Sequence, residues 1–378
     1  MLASGTVSLV PGTPISPTFP LARYRQPELE GVVRAFVASA TQPGDLVLAI
    51  GAVDGRCVTE AVMTGRRLVA LGRNPVDLLC TALAISPVSS EEAQTALTRL
   101  GDQLKGERPL IFHIQELYRS RCPHCRTQGT AEWFAWDRDQ GQPYAKRVIC
   151  PACDRPREGP VDGDDLTKAG VYPPSTGIAY HLALNRATGH SPDQRTRIDQ
   201  LIRCYTPRNL SVLMDIIQRM PRRTTDPDTQ RVIDAIVLDA LDAGATLSPI
   251  DDPESKPKSL TIPQRFLERN LWLVLEAAVA AYAADQGPLS GDASSDIPRR
   301  ESLTDLLTTP EPGCLLLNQS IQALYETTTR SQFSALIVHL APPDATFWAL
   351  AVLWSMWLWG NDVPEDLRGF LRRRRLDW

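Results

Sequence analysis

Two Cys-x-x-Cys pairs constrain the fold of this chain more than any other feature. Cys122-Pro-His-Cys125 and Cys150-Pro-Ala-Cys153 are separated by twenty-four residues. Tetrahedral zinc takes four thiolates at about 2.3 Å, and each pair presents two of them from one tight turn. Two unrelated pairs, or a redox pair, are the alternatives, but the spacing favours a structural zinc site. Because cysteine fills all four positions, no place is left for a catalytic water.

The residues between the two pairs alternate in the manner of a β-hairpin. Residues 131–136 and 144–149 read as two strands joined by the turn-forming run Asp-Gln-Gly-Gln. With the cysteines they predict a zinc ribbon over 118–160, in which His124 is not a ligand. The ribbon is surrounded by the basic residues Arg119, Arg121, Arg126, Lys146 and Arg147. These are consistent with a nucleic-acid contact and equally with a solvated face.

The composition is that of an ordinary globular protein. Of 378 residues, 43% are hydrophobic and 22% charged, which fits about two to three soluble domains and excludes fibrous, disordered and small disulfide-framework proteins. Forty basic and forty-four acidic side chains give a net charge of −4. Because this charge does not attract a polyanion, any DNA contact has to be local.

We expect a cytoplasmic protein with no membrane association. The first twenty residues lack a charged segment followed by an apolar run, as a secretion signal would have. The most apolar stretch, Ala345–Trp359, is shorter than the roughly 20 residues that span a bilayer, so it predicts a buried core helix. In a reducing compartment the cysteines are thiols or metal ligands. The four outside the pairs, Cys57, Cys80, Cys204 and Cys314, are predicted to be buried.

Apolar runs with glycine at the junctions indicate an α/β sheet. Residues 46–50 and 68–71 flank a predicted helix over 58–64, which is a strand–helix–strand pattern. Residues 314–317 and 335–340 are two further apolar runs of this α/β type. The predicted fold class is α/β: a Rossmann-like sheet with an inserted four-cysteine zinc ribbon and a helical region. Gly51 and Gly55 lie either at a nucleotide-type cofactor loop or at an ordinary turn.

The predicted domain organisation has six parts. They are an N-terminal arm (1–30), a Rossmann-like cofactor half (31–117), the zinc ribbon (118–160), a helical region (161–285), a linker (286–312), and catalytic-half strands with the C-terminal helix (313–378).

The run from Asp45 to Pro75 resembles the cofactor half of S-adenosylmethionine-dependent DNA amino-methyltransferases of the adenine-N6/cytosine-N4 class. The segments ARYRQPEL, TPRNL, NLW and PPDATFWALAVLW are similar to one branch of that class, whose members carry a four-cysteine insert. The resemblance implies a class I methyltransferase sheet, S-adenosylmethionine as cofactor, and DNA as partner.

The resemblance also implies a cofactor site. Its residues are Ala49, Gly51, Gly55, Gly72 and Asn74. The family's Asp-Pro-Phe falls on residues 49–51, and the acid that holds the cofactor's ribose falls on Gly72, so both carboxylates are missing. Asp54 or Asp77 could compensate for them.

The family's catalytic motif, Asp-Pro-Pro-Tyr or a close variant, falls on Ala341 to Asp344. The implied catalytic residues are Pro342, Pro343, Asp344 and Phe347. The two prolines form the amine-binding turn, Asp344 could accept the amine proton, and Phe347 would stack on a base extruded from the duplex. The alternative is a proline turn before a core helix.

Two departures at the cofactor loop and two at the catalytic loop indicate a fold that was kept while its chemistry was lost. The first hypothesis is therefore a DNA methyltransferase-like protein with degenerate motifs, which is a methyltransferase if active. The second is a non-catalytic nucleic-acid-binding or complex-forming protein, partnered by an active methyltransferase paralogue or another protein. A zinc-ribbon scaffold unrelated to methylation is the third.

Overall fold

The computed structural model describes residues 11–17, 19–51, 54–170, 177–187, 192–220, 226–286, 297–327, 332–339 and 344–360. It is mixed α/β and divides into two compact units. The sheet unit comprises residues 1–18, 25–88 and 285–344. The cysteine unit comprises residues 19–24, 89–284 and 345–378.

The described elements run in the following order along the chain. The strands are β1 (Thr13–Ile15), β2 (Glu28–Glu30), β3 (Leu46–Gly51), β4 (Arg67–Gly72), β5 (Leu104–Lys105), β6 (Arg108–Pro109), β7 (Arg119–Arg121), β8 (Gln128–Asp137), β9 (Gln142–Ile149), β10 (Arg157–Pro160), β11 (Arg265–Arg269), β12 (Gly313–Asn318) and β13 (Ala335–His339). The helices are α1 (Val32–Ala40), α2 (Gly55–Met63), α3 (Pro75–Ile85), α4 (Ser90–Gly101), α5 (Leu110–Leu117), α6 (Gly163–Gly170), α7 (Ile178–Ala187), α8 (Pro192–Ile202), α9 (Pro207–Arg219), α10 (Pro227–Gly244), α11 (Leu271–Gln286), α12 (Leu303–Thr308), α13 (Ile321–Thr327) and α14 (Ala345–Trp359), with a short 3-10 helix at Ala22–Tyr24.

The sheet unit is built on a four-stranded parallel sheet in the order β12-β4-β3-β13. Its central strands are nearly continuous apolar runs, because both faces of a parallel sheet are covered. Val47 and Ala49 pack on one face with Val58 of α2, and Leu46 packs on the other with Leu306 of α12. The predicted strands at 46–50, 68–71 and 314–317 are confirmed.

Side-chain caps set where the helices of the sheet unit begin. Asp54 accepts a hydrogen bond from the Cys57 amide at 2.6 Å, so α2 begins at Gly55, three residues before the predicted start. The buried carboxylate of Glu60 accepts from the amides of Gly31 (2.6 Å) and Arg34 (2.9 Å). It thereby caps α1, whose own N-cap glycine has no side chain to do so.

The cysteine unit holds an antiparallel sheet in the order β10-β9-β8-β11, with β7 also paired to β8. The two predicted ribbon strands are confirmed and extend to β8 and β9. Strand β8 also pairs with β11 (Arg265–Arg269), which lies far along the chain. The hairpin between the cysteine pairs is therefore part of a wider sheet.

The apolar C-terminal segment forms α14 and is buried, as predicted. The indole Nε1 of Trp354 donates to the Tyr205 hydroxyl at 2.8 Å, and that of Trp357 donates to the Ala183 carbonyl at 2.9 Å. These bonds satisfy the polar atoms of two fully buried tryptophans. Among the described residues, none of the helices combines the length and the apolarity that crossing a membrane requires.

The two compact units differ from the predicted division of the chain. Helices α4 and α5, which the prediction grouped with the cofactor half, belong to the cysteine unit, where α4 packs on α10 and α5 on α9. Helix α14 also belongs to that unit rather than with β12 and β13. Packing partners decide membership, and the sequence order does not reveal them.

Candidate metal centre and the carboxyl edge of the parallel sheet

The four paired cysteines converge in the cysteine unit. The Sγ atoms of Cys122, Cys125, Cys150 and Cys153 all lie within 4.8 Å of one another. The Cys125–Cys150, Cys125–Cys153 and Cys122–Cys153 Sγ distances are 3.4, 3.6 and 3.9 Å. Four sulfurs bonded to one tetrahedral zinc at 2.3 Å are about 3.8 Å apart. The cluster could therefore hold a metal ion such as zinc.

Local backbone bonds shape the two turns that carry the cysteines. The Cys122 amide donates to the Thr127 carbonyl at 2.8 Å, and the Arg126 amide donates back to the Cys122 carbonyl at 3.0 Å. Arg126 adopts a left-handed φ of 67° to close this turn. Strand β10 passes so close that a Cβ on Gly159 would lie 2.6 Å from Cβ of Pro123. A side chain at position 159 would therefore displace the first turn.

The thiols differ in acidity because their surroundings differ. Hydrogen bonds from the Thr127 side chain and backbone lower the pKa of Cys125 to about 6, whereas burial raises the pKa of Cys150 to about 12. Metal ligands must be thiolates, so binding an ion here releases protons and is favoured as the pH rises. His124, predicted not to be a ligand, places Nδ1 3.9 Å from Sγ of Cys153.

Four of the basic residues near the centre, Lys146 and three arginines, are ion-paired. Lys146 is only 2% exposed and donates to Ser120 at 2.8 Å and to the carboxylates of Asp162 and Asp165. It is an internal charge and does not contribute to a basic surface. Three half-exposed arginines are also paired: Arg119 with Glu116 (3.1 Å), Arg121 with Asp164 (3.5 Å) and Arg147 with Glu132 (2.6 Å).

The carboxyl edge of the parallel sheet is the second candidate site. From β3 the chain moves to β4 and β12 on one side, and it then returns to β13 on the other side of β3. The strand order therefore reverses between β3 and β13, where open α/β sheets bind ligands. Gly51 of β3 pairs with His339 of β13 at this point.

The predicted cofactor residues take different places around this edge. Gly51 and Gly72 end adjacent strands, and Asn74 caps α3 by accepting from the Val76 amide at 3.1 Å. Gly55 begins α2 and lies against Ala84 of α3. Ala49, in contrast, is fully buried in the core and does not reach the edge.

Two of the glycines at the edge lie in tight surroundings. Gly51 has a φ of 106°, and a Cβ there would lie 2.2 Å from the His339 carbonyl oxygen. A Cβ on Gly72 would lie 3.1 Å from Cδ2 of Leu78. Leu78 would therefore have to shift by a few tenths of an ångström to admit a side chain at position 72.

Charged side chains from three elements meet beside this edge. Asp54 lies 3.7 Å from Nδ1 of His339, and Glu28 pairs with Arg25 at 3.1 Å and Arg56 at 3.4 Å. Burial raises the pKa of Asp54, and burial together with the nearby Asp54 charge raises that of Glu28. Sequence reasoning singled out Asp54 but not Glu28, which stood only as part of the segment ARYRQPEL, nor His339, which stood in an apolar run.

The predicted catalytic residues are only partly described. Pro342 and Pro343 lie outside the described residues, and Asp344 is half-buried at the residue before α14. Phe347 stacks on Tyr24 with ring centroids 4.7 Å apart and planes 24° apart. One face of the ring predicted to hold a flipped base is therefore covered by a side chain of the protein itself.

Comparison with protein-family models, with curated proteins and with solved structures found no match to this chain. The described residues thus define a mixed α/β protein with a parallel sheet and a four-cysteine cluster that could bind a metal ion.

Proposed function

We propose that this chain is a DNA methyltransferase-like protein that has lost methyl transfer and keeps its sheet as a scaffold. Its parallel sheet would be Rossmann-like, of the class I methyltransferase type. The reversal of strand order between β3 and β13 supports this proposal, because a cofactor-binding sheet of that type has its ligand edge there.

The observation that carries the loss of chemistry is the narrow space beside Gly72. An acid at that position would meet Leu78, and the chain has glycine there. Asp54, which could have compensated, is engaged by the Cys57 amide and lies next to His339. One of its oxygens is held by its own backbone and the other faces His339, so Asp54 is less free to turn toward ribose hydroxyls.

Calorimetric titration of the full chain with S-adenosylmethionine tests this proposal. We expect no saturable heat up to about 1 mM ligand, which excludes binding tighter than about −4 kcal/mol. The Gly72→Asp, Leu78→Ala double variant is the matched control, since it returns both the acid and the space for it. Micromolar binding by the unaltered chain contradicts the proposal.

We further propose that the four cysteines hold one structural Zn²⁺. Thiolates are the ligands that zinc prefers in closed sites, and the sulfur spacing fits one tetrahedral ion. A bound zinc would fix the turns at Cys122 and Cys150 to each other. A reducing, cytoplasmic location would keep the thiols available for the metal.

We propose DNA as the partner of the cysteine unit, through the three half-exposed arginines that now pair with carboxylates. Exposed ion pairs contribute only about 0–1 kcal/mol, so phosphates can replace the carboxylates. Fluorescence anisotropy with duplex DNA should show affinity that falls with salt and weakens in the Arg119→Ala, Arg121→Ala, Arg147→Ala variant. Absence of salt-dependent binding favours the alternative, a complex with an active methyltransferase paralogue or another protein.

A further inference from the structure

We propose that the four-cysteine centre is a redox-sensitive zinc site in which Cys125 and Cys153 form a disulfide and release the ion. The inference rests on the proposed zinc and concerns what the centre does once it is loaded. It assigns unequal roles to four cysteines that the sequence presents as equivalent.

The four thiols of the centre are unequally exposed. Cys122 and Cys150, which open the two Cys-x-x-Cys pairs, are 0% and 4% exposed. Cys125 and Cys153, which close the pairs, are exposed and half-exposed. Oxidation requires both thiolate character and access, and zinc supplies the first to all four sulfurs. Access therefore selects Cys125 and Cys153.

The two accessible thiols, Cys125 and Cys153, lie close to each other. Their Sγ atoms are 3.6 Å apart, so they must approach by about 1.5 Å to reach the disulfide length. Cys150 lies at a similar distance from Cys125, 3.4 Å, but closing the gap requires a sulfur to move, and half-exposed Cys153 is less confined by packing than Cys150, which is 4% exposed.

The chemistry balances with hydrogen peroxide as the oxidant. The Cys125 thiolate attacks one peroxide oxygen, the O–O bond breaks, and a sulfenic acid and hydroxide form. The Cys153 thiolate then attacks the Cys125 sulfur, the S–O bond breaks, and a second hydroxide leaves. Both hydroxides take up protons from the solvent, so one peroxide becomes two waters while two thiolates lose two electrons. Zinc keeps only Cys122 and Cys150, and it dissociates to any chelator present.

The chain carries its own control thiols. Cys57, Cys80, Cys204 and Cys314 are buried in the two units. Burial also raises the pKa of Cys204 and of Cys314 to about 12. All four lack access, and Cys204 and Cys314 also lack thiolate character, so these thiols should survive peroxide that oxidises the metal centre.

The experiment titrates the zinc-loaded full chain with hydrogen peroxide in the presence of a chromogenic zinc chelator. Remaining thiols are alkylated after unfolding, and tandem mass spectrometry locates the disulfide. We expect one zinc released for every two thiols lost, a Cys125–Cys153 link, and intact control thiols. Reduction with dithiothreitol and added zinc should restore the starting metal content.

Other outcomes overturn the inference. The inference is wrong if zinc is retained at peroxide levels that oxidise free cysteine. It is also wrong if the disulfide lies within one Cys-x-x-Cys pair or involves Cys122 or Cys150, or if the control thiols are lost first. The proposed zinc binding is tested separately, before any peroxide is added. If that proposal is wrong, the reduced chain binds no zinc when zinc is supplied.

Discussion

The cysteine centre and the carboxyl edge of the parallel sheet use their polar groups in opposite ways. At the centre, four sulfur atoms converge within 4.8 Å. At the edge, Asp54 accepts from the Cys57 amide and Glu28 pairs with Arg25 and Arg56. Groups that converge on one point are arranged for a ligand, whereas groups that are bound to one another are arranged for the fold.

The same contrast applies to the space at the two sites. Gly159 brings β10 against the first cysteine turn, so packing there supports the centre. Leu78 lies against Gly72, so packing at the sheet edge narrows the space beside position 72. The two regions therefore differ in what packing does: it supports the converging sulfurs at one and limits the open space at the other.

The largest expected effect is the loss of the metal, which tests whether the centre is a ligand site at all. The Cys150→Ser variant should bind no zinc and lose several kcal/mol of stability, because structural zinc contributes about 10–16 kcal/mol of apparent binding free energy in small domains. Metal analysis and thermal unfolding measure both effects. Cys204→Ser is the matched control, a buried cysteine away from the centre, and should keep full zinc. Equal zinc content in the two variants would contradict the assignment.

The second prediction tests an internally satisfied charge within the cysteine unit. Lys146→Met should cost about 3–5 kcal/mol, because it leaves the buried carboxylate of Asp165 without its cation. Urea unfolding measures the change, and zinc content should stay the same. The Lys146→Met, Asp165→Leu double variant should recover most of the loss, since no buried charge remains. A single variant as stable as the unaltered chain would show that Lys146 is not needed inside the unit.

The sequence could predict the elements whose signals are local. The cysteine spacing, the apolar runs of β3 and β4, and the buried α14 depend on neighbouring residues, and all are found as elements of the structure. The convergence of the cysteines was predictable because zinc imposes a strict ligand set. The methyltransferase resemblance and its cofactor remain proposals.

The features that the sequence could not predict depend on residues that are distant along the chain. The burial of Lys146 requires Asp162 and Asp165, which come from the start of α6. The stacking of Phe347 on Tyr24 brings together residues that are far apart along the chain. Such contacts are fixed by tertiary packing, which no local pattern records.

The third prediction tests whether the sheet edge is filled. Gly72→Asp should cost about 1–3 kcal/mol, because the new side chain overpacks the space beside Leu78. Adding Leu78→Ala should recover part of that cost, so the two substitutions are non-additive in a double-mutant cycle of unfolding free energies. Leu78→Ala alone gives the cost of the cavity. Strict additivity would mean that Leu78 does not limit the space beside position 72.

The smallest expected effect concerns a carboxylate near the same edge and depends on pH. Burial raises the pKa of Asp77 to about 6, above its ordinary value, so the folded state holds this proton more tightly than the unfolded chain does. Between about pH 4 and pH 6 the ionisation of Asp77 therefore lowers the free energy of unfolding as the pH rises, and above that range the loss is constant.

Asp77→Asn removes the charge and should stabilise the chain by about 1 kcal/mol at pH 8 while changing nothing near pH 4. Part of that gain is offset because Asp77 is in the first turn of α3, where a negative charge is favourable. Exposed Glu91, in the first turn of α4, is the control, since Glu91→Gln removes a comparable helix-end charge without relieving burial. If Asp77→Asn destabilises the chain at pH 8 as Glu91→Gln does, the Asp77 carboxylate is held in favourable contacts, and the sheet edge is closer to a ligand site than the comparison with the cysteine centre implies.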